Sequence, residues 1–173
     1  MPSFYTPPPE ATSALQLVTA SRITIAQLHA NFPPGPDHLG KFCQVSDLWG
    51  AGIRGNMRCG SNGRIYYWEA TTQPQLITSV PLTADMTLQP LTSSPIVEMT
   101  GSVLLDVTRT ITLGTQFAFP GQPKEIKLGL SSLVGNVVIA GLGLGSGVAG
   151  VLGATPKFVC FDTGSALEWK RVN

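Results

Sequence analysis

The residues with chemical potential are few and scattered along the chain. Gly145, Gly147 and Gly150 follow the apolar run Val137-Val138-Ile139-Ala140-Gly141 and satisfy G-x-G-x-x-G. That spacing can cradle a pyrophosphate, provided a helix, a second parallel strand and an acidic residue about twenty positions on all follow. Only a short tail follows here, and a Trp-bearing hairpin already accounts for it, so no dinucleotide cofactor is expected. His29 and His38 have no cysteine or carboxylate at zinc spacing, so no metal is expected. Serines abound without a nucleophile-elbow sequence, and the carboxylates show no paired signature, so no catalytic residue is nominated. Arg54, Arg58 and Arg64 cluster near Tyr66, Tyr67 and Trp68. Basic side chains interleaved with aromatics can bind a glycan or a single strand, or else form a solvated edge over a packed ring. A candidate glycan site is therefore Trp49, Arg54, Arg64, Tyr66 and Tyr67.

These residues must be positioned by β structure. In Met57 to Glu69, Ser61-Asn62-Gly63 supplies a hairpin turn, since Asn and Gly tolerate positive φ. Ile65 to Trp68 then favours a strand. The pattern returns near the end of the chain: Cys59, Gly63 and Trp68 match Cys160, Gly164 and Trp169 in spacing. The chain thus reads as two small β-rich modules, sandwich-like or barrel-like, each closed by a Trp hairpin. Residues 11–72 form the first and 76–173 the second, with Thr71 to Gln75 as the boundary.

Composition agrees. Of 173 residues only 12% are charged, while Gly and Pro number 19 and 14. Low charge with many turn formers suits a β-rich structural protein better than a helical enzyme. A formal net charge of +1 offers nothing to nucleic acid. Three cysteines without a framework read as small core hydrophobes. No basic stretch followed by an apolar core opens the chain, which suggests folding in a reducing cytoplasm.

Residues 1–10 contain Pro2, Pro7, Pro8 and Pro9 and read as an extended arm. With Phe4 and Tyr5, they are the candidate docking arm along a neighbouring subunit. Leu15, Leu17 and Val18 suggest a short strand. Thr24 caps a short helix through Ala30, which Pro33-Pro34-Gly35-Pro36 stops. Phe42, Cys43 and Val45 suggest the next strand. In the second module, short strands fall at Leu76 to Val80, Met86 to Leu88, Ile96 to Met99, Val103 to Leu113 and Ile126 to Leu128. Leu128 to Pro156 carries no charge. Its glycine density would make a poor membrane helix, at about 1 kcal/mol per Gly relative to Ala. It reads instead as a buried strand and a Gly-rich loop, packed by a partner subunit. Val137, Val138, Ile139, Leu142, Leu144, Val148, Val151 and Leu152 are the candidate subunit contacts.

The order of motifs is informative. A short helix with Ala26-Gln27-Leu28 is followed by Pro33 to Asp37, Leu39-Gly40-Lys41, Val45 to Gly50 and a Cys/Gly/Trp hairpin. This resembles modules in structural proteins of tailed bacteriophages. Thr87 to Pro95, Met99 to Val103, Arg109 to Leu113 and a terminal Gly164 turn with Trp169 are similar to another phage-virion pattern, from which the Gly141 to Gly153 insertion departs. The resemblance implies β-rich, commonly homotrimeric modules on a capsid or tail, assembled in the host cytoplasm, with no catalytic residues. It leads to a non-enzymatic virion protein, a trimeric decoration or head-fibre protein contacting the major capsid protein or another virion protein. The alternative is a tail-fibre or tail-tip component binding a host glycan.

Overall fold

The computed structural model describes residues 23–71, 77–104, 107–133, 135–141, 148–149 and 153–173. The chain is mainly β and divides into two compact units, Met1–Thr72 and Gln73–Asn173. The expected arm and the strand at Leu15 to Val18 lie outside the described residues.

The first unit opens with helix α1, Ile25–Asn31. Thr24 and Gln27 cap it reciprocally: the Gln27 backbone N–H donates to Thr24 Oγ1 at 3.2 Å, and the Thr24 N–H donates to Gln27 Oε1 at 2.8 Å. Ile25 and Leu28 form its buried face. Against it stands an antiparallel sheet in the order β1 (Phe42–Val45), β2 (Gly55–Ser61), β3 (Tyr66–Ala70). Gly55 is required by packing: a Cβ there would lie 2.1 Å from Leu48 Cδ2.

The second unit is wound rather than folded back and forth. Its strands are β4 (Ile77–Pro81), β5 (Met86–Leu88), β6 (Ile96–Thr100), β7 (Ser102–Val103), β8 (Thr108–Leu113), β9 (Pro123–Leu128), β10 (Ser132–Leu133) and β11 (Asn136–Ala140). β4 pairs in parallel with β6, and β6 with β9. β5 pairs in parallel with β8, β8 with β11, and β7 with β10. Each circuit of the chain lays strands beside those of the circuit before, giving a solenoid of three rungs. Side chains stack in columns through it: Thr78, Val97, Ile126; Val80, Met99, Leu128; Met86, Ile111, Ile139.

Strands β12 (Val148–Ala149), β13 (Lys157–Asp162) and β14 (Leu167–Arg171) then reverse direction. β12 pairs antiparallel with β11, and β13 antiparallel with β9 and β14. They close the third rung. The two large sheets face each other across one core, so the layering is sandwich-like as expected, while its connectivity is parallel winding. The strand expected from Val103 to Leu113 is broken into β7 and β8. A turn in which the Val107 N–H donates to Leu104 O makes a corner of the rung there. Gly135 sits against that corner, where a Cβ would come 2.2 Å from Val107 O and 2.3 Å from Leu104 O.

The Cys/Gly/Trp repeat becomes geometry. Cys59 lies directly opposite Trp68, and Cys160 opposite Trp169. All four are fully buried. Each indole donates to a backbone carbonyl, Trp68 Nε1 to Phe32 O at 2.9 Å and Trp169 Nε1 to Gly114 O at 2.7 Å. The turns match as well. Gly63 N–H donates to Ser61 Oγ as Gly164 N–H donates to Asp162 Oδ1, and both glycines have positive φ.

Two outcomes are expected. Trp169→Phe keeps an aromatic ring but shrinks it and removes the N–H that serves the Gly114 carbonyl, so urea unfolding should show a loss of at least about 1–3 kcal/mol. Gly135→Ala should cost more, about 2–4 kcal/mol, because the new methyl meets backbone rather than a movable side chain.

Candidate functional site

The five residues nominated for glycan binding do not assemble. Trp49 is only 3% exposed and belongs to the core of the first unit. Tyr66 and Tyr67 are successive residues of β3 and point to opposite faces of the sheet. Arg54 and Arg64 are exposed, the first before β2 and the second in the hairpin turn. What the sheet does assemble is a row on the face away from Trp68. Phe42 stands opposite Arg58, and Arg58 opposite Glu69. Two residue pairs along and so on the same face, Tyr67 lies across Gly60, where a Cβ would meet its Cε2 at 3.0 Å. Arg58 Nε lies 3.6 Å from Glu69 Oε1, and Phe42 is 46% exposed. Burial raises the Tyr67 phenol pKa, Glu69 raises it further and Arg58 opposes. Phe42 and Glu69 escaped the sequence reading. The signal for them was the period-two alternation outward from Trp68.

The cysteines are unsuited to nucleophilic work. Burial pushes the thiols of Cys43 and Cys160 up to about 11, with Asp162 adding to the latter, and raises Cys59 as well. None is a thiolate at neutral pH. His29 is held down at about 4 by burial. His38 packs on Phe32 and Trp68, with its Nδ1 3.1 Å from Pro33 O. Among the described residues, no group of three or more His, Cys, Asp or Glu is placed to hold a metal. Val148–Ala149, between the second and third glycines of the G-x-G-x-x-G motif, form a strand returning on β11. No helix among the described residues is long and apolar enough to cross a membrane.

Of the expected subunit contacts, Val137 and Ile139 face the chain's own core and are fully buried there, because β11 is an inner strand of the solenoid. They have no surface left to give a partner. Val138 is half-buried, on the alternate face. Val148 lies in β12. Leu142, Leu144, Val151 and Leu152 lie outside the described residues, as do Pro2, Phe4, Tyr5, Pro7, Pro8 and Pro9.

The strongest polar feature went unforeseen. Lys124 on β9 is 1% exposed. Its ammonium donates to Gln89 O (3.3 Å), Ser93 O (3.1 Å), Ser93 Oγ (2.8 Å) and Ser94 O (2.9 Å). Two residues earlier, Gln122 Nε2 donates to Pro90 O at 2.7 Å. Together they pin residues 89–94, the turn between the first and second rungs. Burial drives the Lys124 pKa down to about 7. Beside this turn a cavity of about 40 Å³ is lined by Gln89, Leu91, Thr92, Gln116 and Phe117. It has room for a few waters and is far smaller than an organic ligand site.

No family model matches the chain, and no curated protein does. Among solved structures, it is similar to a chain from the structure of a chaperone-substrate complex, at 16% identity and a TM-score of 0.39. The match covers 78% of this chain and 23% of that one.

Lys124 gives a signed pH dependence. A base whose pKa falls from 10.5 to about 7 on folding leaves the folded chain with fewer protons than the unfolded chain between those values. Stability should therefore rise with pH through that window, by at most about 1.4 kcal/mol per unit. Urea melts at successive pH values should show the rise. Lys124→Met should flatten it and cost about 2–4 kcal/mol at neutral pH, because the Gln89, Ser93 and Ser94 carbonyls each lose a donor.

Proposed function

We propose that this chain is a non-enzymatic structural protein of a phage virion, a trimeric decoration or head-fibre protein on the capsid surface. The observation that carries the reading is the form of the second unit. It is a short solenoid closed at one end by the Trp169 hairpin, while its first rung ends in an exposed, uncharged strand. Such a unit suits assembly, since its free end can be completed by another polypeptide. The thiols are buried and protonated, and the cavity beside the 89–94 turn is tiny. The sequence resemblance supplies the virion context. In this reading the Pro-rich arm docks onto the particle.

The test is occupancy. Particles stripped of the protein should rebind the full chain, and a chain lacking Met1 to Pro9 should fold but bind poorly. Full occupancy after that deletion would remove the arm from the mechanism.

A second reading, glycan recognition by a tail-fibre or tail-tip component, draws on the outer face of the first sheet. There Phe42 and Tyr67 flank the Arg58–Glu69 pair. Aromatic faces stack on sugar rings, and paired donors and acceptors address hydroxyls. In this reading Phe42→Ala or Tyr67→Ala should abolish binding on a glycan array while leaving the circular dichroism spectrum unchanged.

A further inference from the structure

The two ends of the solenoid are finished differently. At the far end, β14 is the last strand of its sheet and carries Glu168, Lys170 and Arg171. Charges on an edge strand discourage further pairing. At the near end β4 is the last strand of the same sheet and β5 of the other. β4, Ile-Thr-Ser-Val-Pro, has no charge, and Ile77, Thr78 and Ser79 are exposed.

The inner columns also end here without a cover. Thr78 stands at the end of the column through Val97 and Ile126, yet it is exposed where those two are buried. Val80 ends the column through Met99 and Leu128, and Met86 the column through Ile111 and Ile139. Val80 and Met86 are only partly buried. A wound core needs a terminal element to keep water from its last layer. What fits is one more strand, uncharged, with two apolar side chains two residues apart facing inward.

Residues 12–19, Thr-Ser-Ala-Leu-Gln-Leu-Val-Thr, have that pattern. They lie outside the described residues, and as an extended strand they would set Leu15 and Leu17 on one face with Gln16 between them. No charge interrupts the segment, and the Pro-rich stretch precedes it. An exposed, uncharged edge strand such as β4 is a ready template for pairing with another chain.

We propose that Leu15 to Val18 of a second copy pairs with β4 and completes the first rung, with Leu15 and Leu17 covering Thr78, Val80 and Met86. Each copy gives a strand and receives one. Such a head-to-tail donation closes as a ring or continues as a filament, and the trimer is the smallest ring beyond a reciprocal pair. The inference rests on the solenoid alone, and not on the virion reading.

The test uses the full chain in solution. Light scattering should give a mass at least twice the 18.3 kDa of one chain. Leu15→Lys with Leu17→Lys puts charges on the donated face. Thr78→Lys puts one on the receiving end, at a position already exposed and therefore tolerant of lysine. Either change should return the mass to that of one chain with an unchanged circular dichroism spectrum. In a third variant, Leu17→Cys with Thr78→Cys, mild oxidation should link two chains on a non-reducing gel. A monomeric wild-type chain would overturn the proposal. So would an oligomer whose mass survives the Leu15/Leu17 double change, whether or not Thr78→Lys disrupts it, or a cross-link formed only within one chain.

Discussion

A sheet wound on itself has two ends, and its apolar core must be closed at both. That constraint explains more of the second unit than any single contact. At the third rung the chain stops winding and turns back on itself, and the hairpin of β13 and β14 carries Phe158, Cys160 and Trp169 onto the last core layer. The indole of Trp169 then reaches the Gly114 carbonyl, where the chain leaves β8. One side chain thus fills the end of the core and satisfies a backbone group at a corner of the second rung. The first rung has no such element among the described residues. Its strands are short, its columns end in half-covered side chains, and its edge is free of charge.

The same hairpin is used in the first unit for a different purpose. There Trp68 packs with Cys59 under a helix of two turns, and its indole caps the Phe32 carbonyl at the end of that helix. A buried Trp needs a partner for its N–H, and in each unit it reaches a carbonyl just past the end of an element, Phe32 after α1 and Gly114 after β8. The small thiol opposite leaves room for the ring. Cross-strand pairing of residues nine apart around a turn with a positive-φ glycine accounts for the repeat in the sequence.

Much of this was legible in advance. The Trp hairpins, the capped helix at Thr24, and the strands at Phe42, Met86 and Ile126 follow from local turn chemistry and alternation, which act over a few residues. The winding was not legible. Thr78, Val97 and Ile126 stack although they are unequally spaced along the chain, so no period marks the rungs. Lys124 was invisible for another reason: in sequence it is one more strand lysine, and only the turn of residues 89–94, brought back over β9, makes it a buried clamp. The glycan nomination failed at Trp49 because exposure cannot be read from residue type. It failed at Tyr66 and Tyr67 because two neighbours on a strand cannot share a face. The subunit-contact nomination failed at Val137 and Ile139 because an uncharged run was assigned to a partner when the chain's own core needed it.

Under the proposed strand donation these features share one purpose: Leu15 to Val18 of one copy completes the open rung of the next. Amide hydrogen exchange on the full chain tests that idea most directly, comparing wild type with the Leu15→Lys, Leu17→Lys variant. The account predicts that amides of β4 are slow to exchange in the wild-type protein and become fast in the variant, while β9 and β11 stay protected in both. Equal exchange of β4 in the two proteins, whether fast or slow, would contradict it.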